Sequence, residues 1–193
     1  MPRKVLIILA HPRKNSLCAA LAAAYRRGAV AAGAELKELL LPDMRFDPLV
    51  HTARPEEQPL EDDLIAAREA ILWADHLVVV YPTWWGTYPA LLKGFLDRVL
   101  VSGFAFRYRD GSLWWDRLLA GRTGHLITTM DAPPLYDRLV NRWPGINGLK
   151  RTVLHFCGVK PVRASAFGPV RGSSQERREE WVRHVEALGR RLR

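Results

Sequence analysis

Cysteine is nearly missing from this chain: Cys18 and Cys157 are the only two in 193 residues. Two thiols do not make the disulfide framework of a small secreted domain, so a reducing, cytoplasmic setting is expected. Long apolar runs are missing as well. None approaches the roughly 20 residues of a membrane span, so no stable membrane insertion is expected. The apolar stretch at 5–10 is too short for a signal-peptide core and runs into His11-Pro12 without a small-residue cleavage site. There is no GxGxxG and no GxxxxGK[ST], which removes the dinucleotide fingerprint and the Walker loop. His51, His76, His125 and His184 are scattered without HxH or HExxH spacing, so no metal is expected. Repeats, low-complexity tracts and linkers are absent too, and residues 1–193 read as a single domain.

Charge is abundant. With 29 basic and 20 acidic residues the formal net charge is +9, a balance that attracts nucleic acid, anionic membrane surfaces or anionic cofactors. The basic residues are dispersed, although the last thirty are dense in arginine, and no nucleic-acid motif appears. A soluble charged surface with no nucleic-acid partner is the expectation.

Apolar runs and breakers divide the chain into alternating elements. Residues 5–9 form a continuous apolar run, as a buried parallel strand does. Ser16 then suits the N-cap of an Ala-rich helix stopped near Gly33. Residues 35–41 give a second strand, ended by Pro42, and 59–73 a helix with Leu60, Leu64, Ala67 and Ile71 on one face. A third strand spans 77–81 and a helix 89–100, with Pro89 at its first position and Gly94 implying close packing. A wet stretch turns at Asp110-Gly111. Strands at 124–130 and 159–167 follow, separated by a helical stretch, and an amphipathic helix closes the chain at 174–192. Strands alternating with helices require a mostly parallel sheet covered on both faces. Five strands suit an α/β, doubly wound, flavodoxin-like order of 2-1-3-4-5.

In that order the loops after strands 1, 3 and 4 meet at the switch point, where ligands bind. They are residues 10–18, 82–88 and 128–136. The first places His11, Asn15 and Ser16 before a helix start, whose free N–H groups suit a phosphate. The second, Thr83-Trp84-Trp85-Gly86, offers backbone donors and an aromatic wall of the kind an isoalloxazine ring needs. Two adjacent tryptophans in one turn cannot both point into a core. The third brings the hydroxyls of Thr128 and Thr129.

Together these segments resemble the NAD(P)H:quinone oxidoreductases of the flavodoxin-like fold. The likeness rests on LAHPRKNSL at 9–17, FDPL at 46–49, YPTWWGTYPALLKGFLDRVLVSGFAF at 81–106, ITTMD at 127–131 with Tyr136 downstream, and LHFCG at 154–158. The resemblance implies that His11, Asn15, Ser16, Leu17 and Cys18 hold the flavin phosphate, with Cys18 giving backbone only. It implies that Pro82, Thr83, Trp84 and Trp85 line the ring, and that Thr128, Thr129 and Asp131 close its pyrimidine side. Phe104, Phe106 and Tyr108 match the aromatic segment that shapes the substrate pocket, often across a homodimer interface. The chain departs from the family at Met130-Asp131, where well-studied members carry Gly-Gly. It also has no histidine between Asp131 and His155, so Tyr136 is the catalytic candidate, alone or with Arg142.

The activity implied is a hydride relay from NAD(P)H through bound FMN (alternatively FAD) to a quinone or similar acceptor, both substrates using one pocket in turn. Two other roles are open at this level. One is an ancillary subunit of a potassium-efflux transporter, docking through Arg171, Arg177, Arg178, Arg183, Arg190, Arg191 and Arg193. The other is a flavodoxin-like electron carrier, against which the net charge of +9 argues.

Overall fold

The computed structural model describes residues 1–192. Strand β1 (Lys4–Leu9) leads to helix α1 (Leu17–Ala31), then β2 (Glu35–Leu40), α2 (Asp62–Trp73), β3 (His76–Pro82) and α3 (Ala90–Val99). A short hairpin, β4 (Phe106–Tyr108) with β5 (Trp115–Arg117), precedes β6 (Thr123–Thr129) and the brief helix α4 (Pro134–Leu139). Helix α5 (Pro144–Asn147) continues through a π-helical stretch, Gly148–Leu154, into α6 (His155–Cys157). Strand β7 (Val162–Phe167) and helix α7 (Gln175–Arg190) complete the described chain.

The main sheet is parallel throughout, with five strands in the order β2-β1-β3-β6-β7. With the hairpin set aside this is the expected order 2-1-3-4-5. All seven residues of β3 are buried, as in a central strand covered on both faces. Alternate strand residues feed two cores. Leu6, Ile8, Leu77, Val79, Tyr81 and Leu126 face α2, α3 and the α5–α6 segment, whereas Val5, Ile7, Leu9, Val78, Val80 and Ile127 face α1 and α7.

Boundaries differ where local chemistry outweighs pattern. The last strand starts at Val162 rather than at 159, because the Val159 N–H bonds back to the Leu154 carbonyl at 2.9 Å as the helix ends. Helix α2 starts at Asp62 rather than at 59, and Pro89 caps α3 rather than entering it. The wet segment closes as a hairpin, with Gly111 at φ 68° in its turn.

Two close approaches fix the helices. A Cβ at Gly28 would lie 2.0 Å from the Glu186 carbonyl oxygen, and one at Gly189 would lie 2.3 Å from that of Tyr25. Only glycine at both places lets α1 and α7 touch backbone to backbone. Gly94 meets the packing that its place in α3 implies, since a Cβ there would fall 2.4 Å from Pro48 Cβ. Beneath it, buried Arg98 donates to the carbonyls of Asp47 and Pro59 and pairs with Glu61 at 2.9 Å, locking the FDPL segment over α3.

Candidate functional site

Because every strand of the main sheet runs the same way, the ends of β1, β3, β6 and β7 come out at one edge. There the three loops and the start of α7 enclose a cavity of about 380 Å³. Its lining includes His11, Asn15, Ser16, Leu17, Cys18, Pro82, Thr83, Trp84, Thr129 and Asp131, together with Arg13, Met130, Val170 and Arg178.

The first loop supplies a helix start. Ser16 Oγ accepts from the Ala19 N–H at 3.2 Å, so its hydroxyl caps α1. The amides of Leu17 and Cys18 precede any intrahelical acceptor and sit at the positive end of the helix dipole. His11 is buried, and its Nδ1 accepts from the Arg13 N–H at 3.0 Å. Burial and the Arg13 charge hold its pKa below the ordinary value. The ring is therefore neutral, with its proton on Nε2. Its edge meets Trp84 at 6.0 Å between centroids. Arg178, at the head of α7, is pinned by bonds from Nε to Ser173 Oγ (2.8 Å) and from Nη2 to the Val170 carbonyl (3.3 Å). The cavity thus gathers unbonded amides, a helix dipole and a fixed guanidinium, an arrangement whose chemistry suits a phosphate.

The second loop supplies a flat wall. The Thr83 N–H bonds to the Thr129 carbonyl at 2.7 Å, and Trp84 and Thr87 exchange bonds of 2.8 and 3.0 Å. This closes a two-residue turn with Trp85 at φ 51° and Gly86 at φ 74°. Positive φ at a tryptophan is strained, and such strain collects at functional sites. The amides of Trp85 and Gly86 bond to no acceptor among the described residues. Both tryptophan rings lie outside the core, Trp84 half-exposed and Trp85 fully so. Behind the turn, the Gly145 N–H bonds to the Gly86 carbonyl at 2.8 Å, and a Cβ at 145 would fall 2.7 Å from Thr87 Cα.

The third loop is tied to the segment after β7. Met130 donates to the Phe167 carbonyl at 2.9 Å, and Asp131 Oδ1 accepts from the Arg171 N–H at 2.8 Å. Thr129 Oγ1 lies 3.3 Å from Cys18 Sγ. Burial pushes the Cys18 thiol up to about 11, so it is a poor nucleophile.

Six of the residues singled out by sequence stand apart from this cavity. Thr128 is buried beneath it, its Oγ1 2.7 Å from that of Thr83. Trp85 sits at the tip of its turn, and Tyr136 is exposed on α4. Phe106 lines a second, apolar cavity of about 430 Å³ with Tyr88, Leu96, Val101 and Phe156. Tyr108 is exposed on the hairpin. Phe104 likewise lines neither cavity; it packs against the core under the Arg68 guanidinium. Within one chain, then, the aromatic segment does not reach the loop cavity.

Sequence reasoning missed Arg13, Met130, Val170 and Arg178. It counted Arg178 among the arginines of a docking face and overlooked that the loop after the last strand opens at the same edge. Other members of that face pair on α7 itself: Arg177 with Glu180 (2.8 Å), Arg183 with Glu179 (3.9 Å) and Arg190 with Glu186 (2.9 Å). Arg193 lies outside the described residues. Among the described residues no helix is long and apolar enough to cross a membrane, and no group of three or more His, Cys, Asp or Glu is placed to hold a metal.

A parallel 2-1-3-4-5 sheet with a cavity headed by a helix start at its switch point is the flavodoxin-like class. A family model described as Flavodoxin-like fold matches residues 3–192, and the chain belongs to that family. Within it the chain groups with NAD(P)H oxidoreductases. It is 30% identical over 174 residues to an uncharacterized NAD(P)H oxidoreductase of Haemophilus influenzae, covering 86% of this chain and 83% of the relative. It is 34% identical over 116 residues to the uncharacterized NAD(P)H oxidoreductase YcaK of Escherichia coli, covering 56% of this chain and only 57% of that protein. Among solved structures, an NAD(P)H:quinone oxidoreductase from Methanothermobacter marburgensis superposes with TM-score 0.85 at 24% identity, covering 100% of this chain and 98% of that one. An FMN-dependent NADH-azoreductase from Bacillus anthracis, in complex with FMN, superposes with TM-score 0.76 at 19% identity, covering 98% and 99%. At these identities the structural likeness shows the fold alone.

Proposed function

We propose that the chain is a flavin-dependent NAD(P)H dehydrogenase acting on a quinone or a similar acceptor. One observation carries this reading: a single cavity joins a helix start, a pinned arginine and the Trp84 ring at the base of an aromatic turn whose next two amides are unbonded among the described residues. A phosphorylated, flat, hydrogen-bonding ligand matches each of these in turn.

FMN is the flavin we assign, as in the azoreductase complex. The Leu17 and Cys18 amides and Arg178 hold its phosphate. Trp84 flanks the ring, the amides of Trp85 and Gly86 supply donors for N5 and O4, and Thr129 and Asp131 close the pyrimidine side. Bound flavin supplies hydride acceptance from NAD(P)H and hydride donation to the acceptor. To Tyr136, exposed on α4 after the third loop, we assign the gift of a proton to the reduced acceptor. A second copy of the chain brings Phe106 and Tyr108 to the pocket, which the aromatic segment does not reach within one chain.

One feature favours FAD as a second reading. A groove of about 420 Å³ shares Asn15, Ser16, Leu17 and Arg178 with the cradle and continues between α1 and α7 to Gln175 and Val182. An adenosine half has room there.

The test is direct. Purified protein is expected to be yellow or to become so with added flavin, to oxidise NAD(P)H with a quinone by ping-pong kinetics, and to sediment as a dimer. Mass analysis of the released flavin decides FMN against FAD. Protein that stays colourless with both flavins contradicts the reading.

A further inference from the structure

We propose that a basic hollow beside the Trp84–Thr87 turn seats the 2′-phosphate of NADPH and makes that nucleotide the preferred donor. The inference deepens the proposed oxidoreductase reading and rests on it.

The hollow, about 350 Å³, is lined by four cations, Arg138, Arg142, Lys150 and Arg151, with Trp143 and the amide of Asn147, and no carboxylate lines it. None of the four cations makes an ion pair or a side-chain hydrogen bond among the described residues. The pattern differs on the hairpin and on α3 and α7, where Arg109, Lys93 and Arg190 each hold a carboxylate. Four like charges around one concavity repel unless an anion enters, and two or more guanidinium groups suit the dianion of a phosphate monoester. The walls are fixed from behind. Trp143 Nε1 donates to the Pro134 carbonyl at 3.2 Å, its ring carries the Arg138 guanidinium at 5.4 Å, and Asn147 Nδ2 donates to the Arg142 carbonyl. The positive field extends along the helix: Lys160, Lys150, Arg151 and Arg117 add to burial in lowering the pKa of His155.

Position selects the ligand. The flavin phosphate already has the start of α1 and Arg178. The hollow instead flanks Gly145, whose N–H bonds to Gly86 in the turn that walls the ring. A donor whose nicotinamide lies against that ring extends its adenosine end outward. A concave hollow suits one phosphorylated sugar, whereas nucleic acid is met by a basic stripe.

The protein as purified is titrated calorimetrically with 2′,5′-ADP and with 5′-AMP, which differ only in the 2′-phosphate. The same is done for the Lys150→Gln/Arg151→Gln double variant. The 2′,5′-ADP is expected to bind about tenfold tighter than 5′-AMP, and the double variant to lose that margin with an unchanged melting temperature. In steady state the variant raises KM for NADPH about tenfold while KM for NADH and both kcat values stay level. Equal binding of the two nucleotides by the wild type, or a margin that survives in the variant, overturns the proposal. So does an oligonucleotide that displaces 2′,5′-ADP at lower concentration than NADPH does. Protein that is colourless yet keeps the margin supports the hollow while ending the oxidoreductase reading.

Discussion

Near the amino ends of the strands, the polar side chains are buried and partnered. His76 Nε2 lies 3.0 Å from Tyr25 Oη and its Nδ1 lies 2.6 Å from Thr123 Oγ1, which also receives Arg3, while His125 reaches Ser165 Oγ at 2.9 Å. At the carboxyl ends of the same strands, the amides of Leu17, Trp85 and Gly86 have no partner among the described residues, and a guanidinium and a tryptophan border open space. Buried polar groups are costly unless bonded, so the first arrangement is what stability demands. The second leaves donors for something the chain does not contain. One end of the sheet is closed by its own polar groups and the other is left open.

The strongest way to break this contrast is to damage the closed half. Gly28→Val puts a side chain where even a Cβ would lie 2.0 Å from the Glu186 carbonyl. A loss of more than about 3 kcal/mol is expected in urea denaturation, because backbone cannot yield as a side-chain tip does.

Acid tests the same half. Burial, with Arg3, His125 and Arg163 nearby, holds His76 down at about 3. Below the ordinary value near 6.5 the unfolded chain takes up a proton that the folded chain refuses. Stability is therefore full above about pH 6.5 and falls steadily toward pH 3, by a few kcal/mol in all. His76→Asn is expected to be less stable at neutral pH and to flatten this slope in unfolding curves taken across that window.

The open end responds in binding rather than in folding. Gly145→Ala pushes against Thr87 Cα and Gly86 O and shifts the turn. Flavin affinity is expected to fall at least tenfold by titration, with a stability cost of about 1 kcal/mol. Arg178→Gln removes a charge but no core contact; about a tenfold weaker flavin Kd with an unchanged melting temperature is the expected result. The smallest effect belongs to Cys18→Ser, which keeps a bond to Thr129. Activity should stay within about twofold, and the wild-type thiol should resist alkylation at pH 7.

The closed half and the sheet order were legible because a parallel strand buried on both faces is written as an unbroken apolar run, and Pro42 and Gly33 mark where elements stop. Gly94 was legible for a similar reason, since glycine inside a helix needs a neighbour. The hairpin was not, because its three-residue strands carry exposed Arg107 and Tyr108 and show no period. Gly28 and Gly189 gave no sign of their contact, which depends on how two helices far apart in sequence cross. Most of the cradle could be read from the loop residues, but Arg178 sits in an arginine-dense helix where nothing local separates a ligand-facing cation from those that pair with Glu179, Glu180 and Glu186. Thr128 and Thr129 look alike in sequence, but the single step between them turns the Thr128 side chain to the opposite face, beneath the cavity.

The most direct test of the contrast is a fluorescence titration of flavin-free protein with FMN. Saturable quenching at one flavin per chain is expected, weakened in Trp84→Ala and Arg178→Gln and unaffected by Lys93→Gln on the far side of α3. Flavin fluorescence that does not change at any protein concentration, for a chain shown by circular dichroism to be folded, would contradict the account.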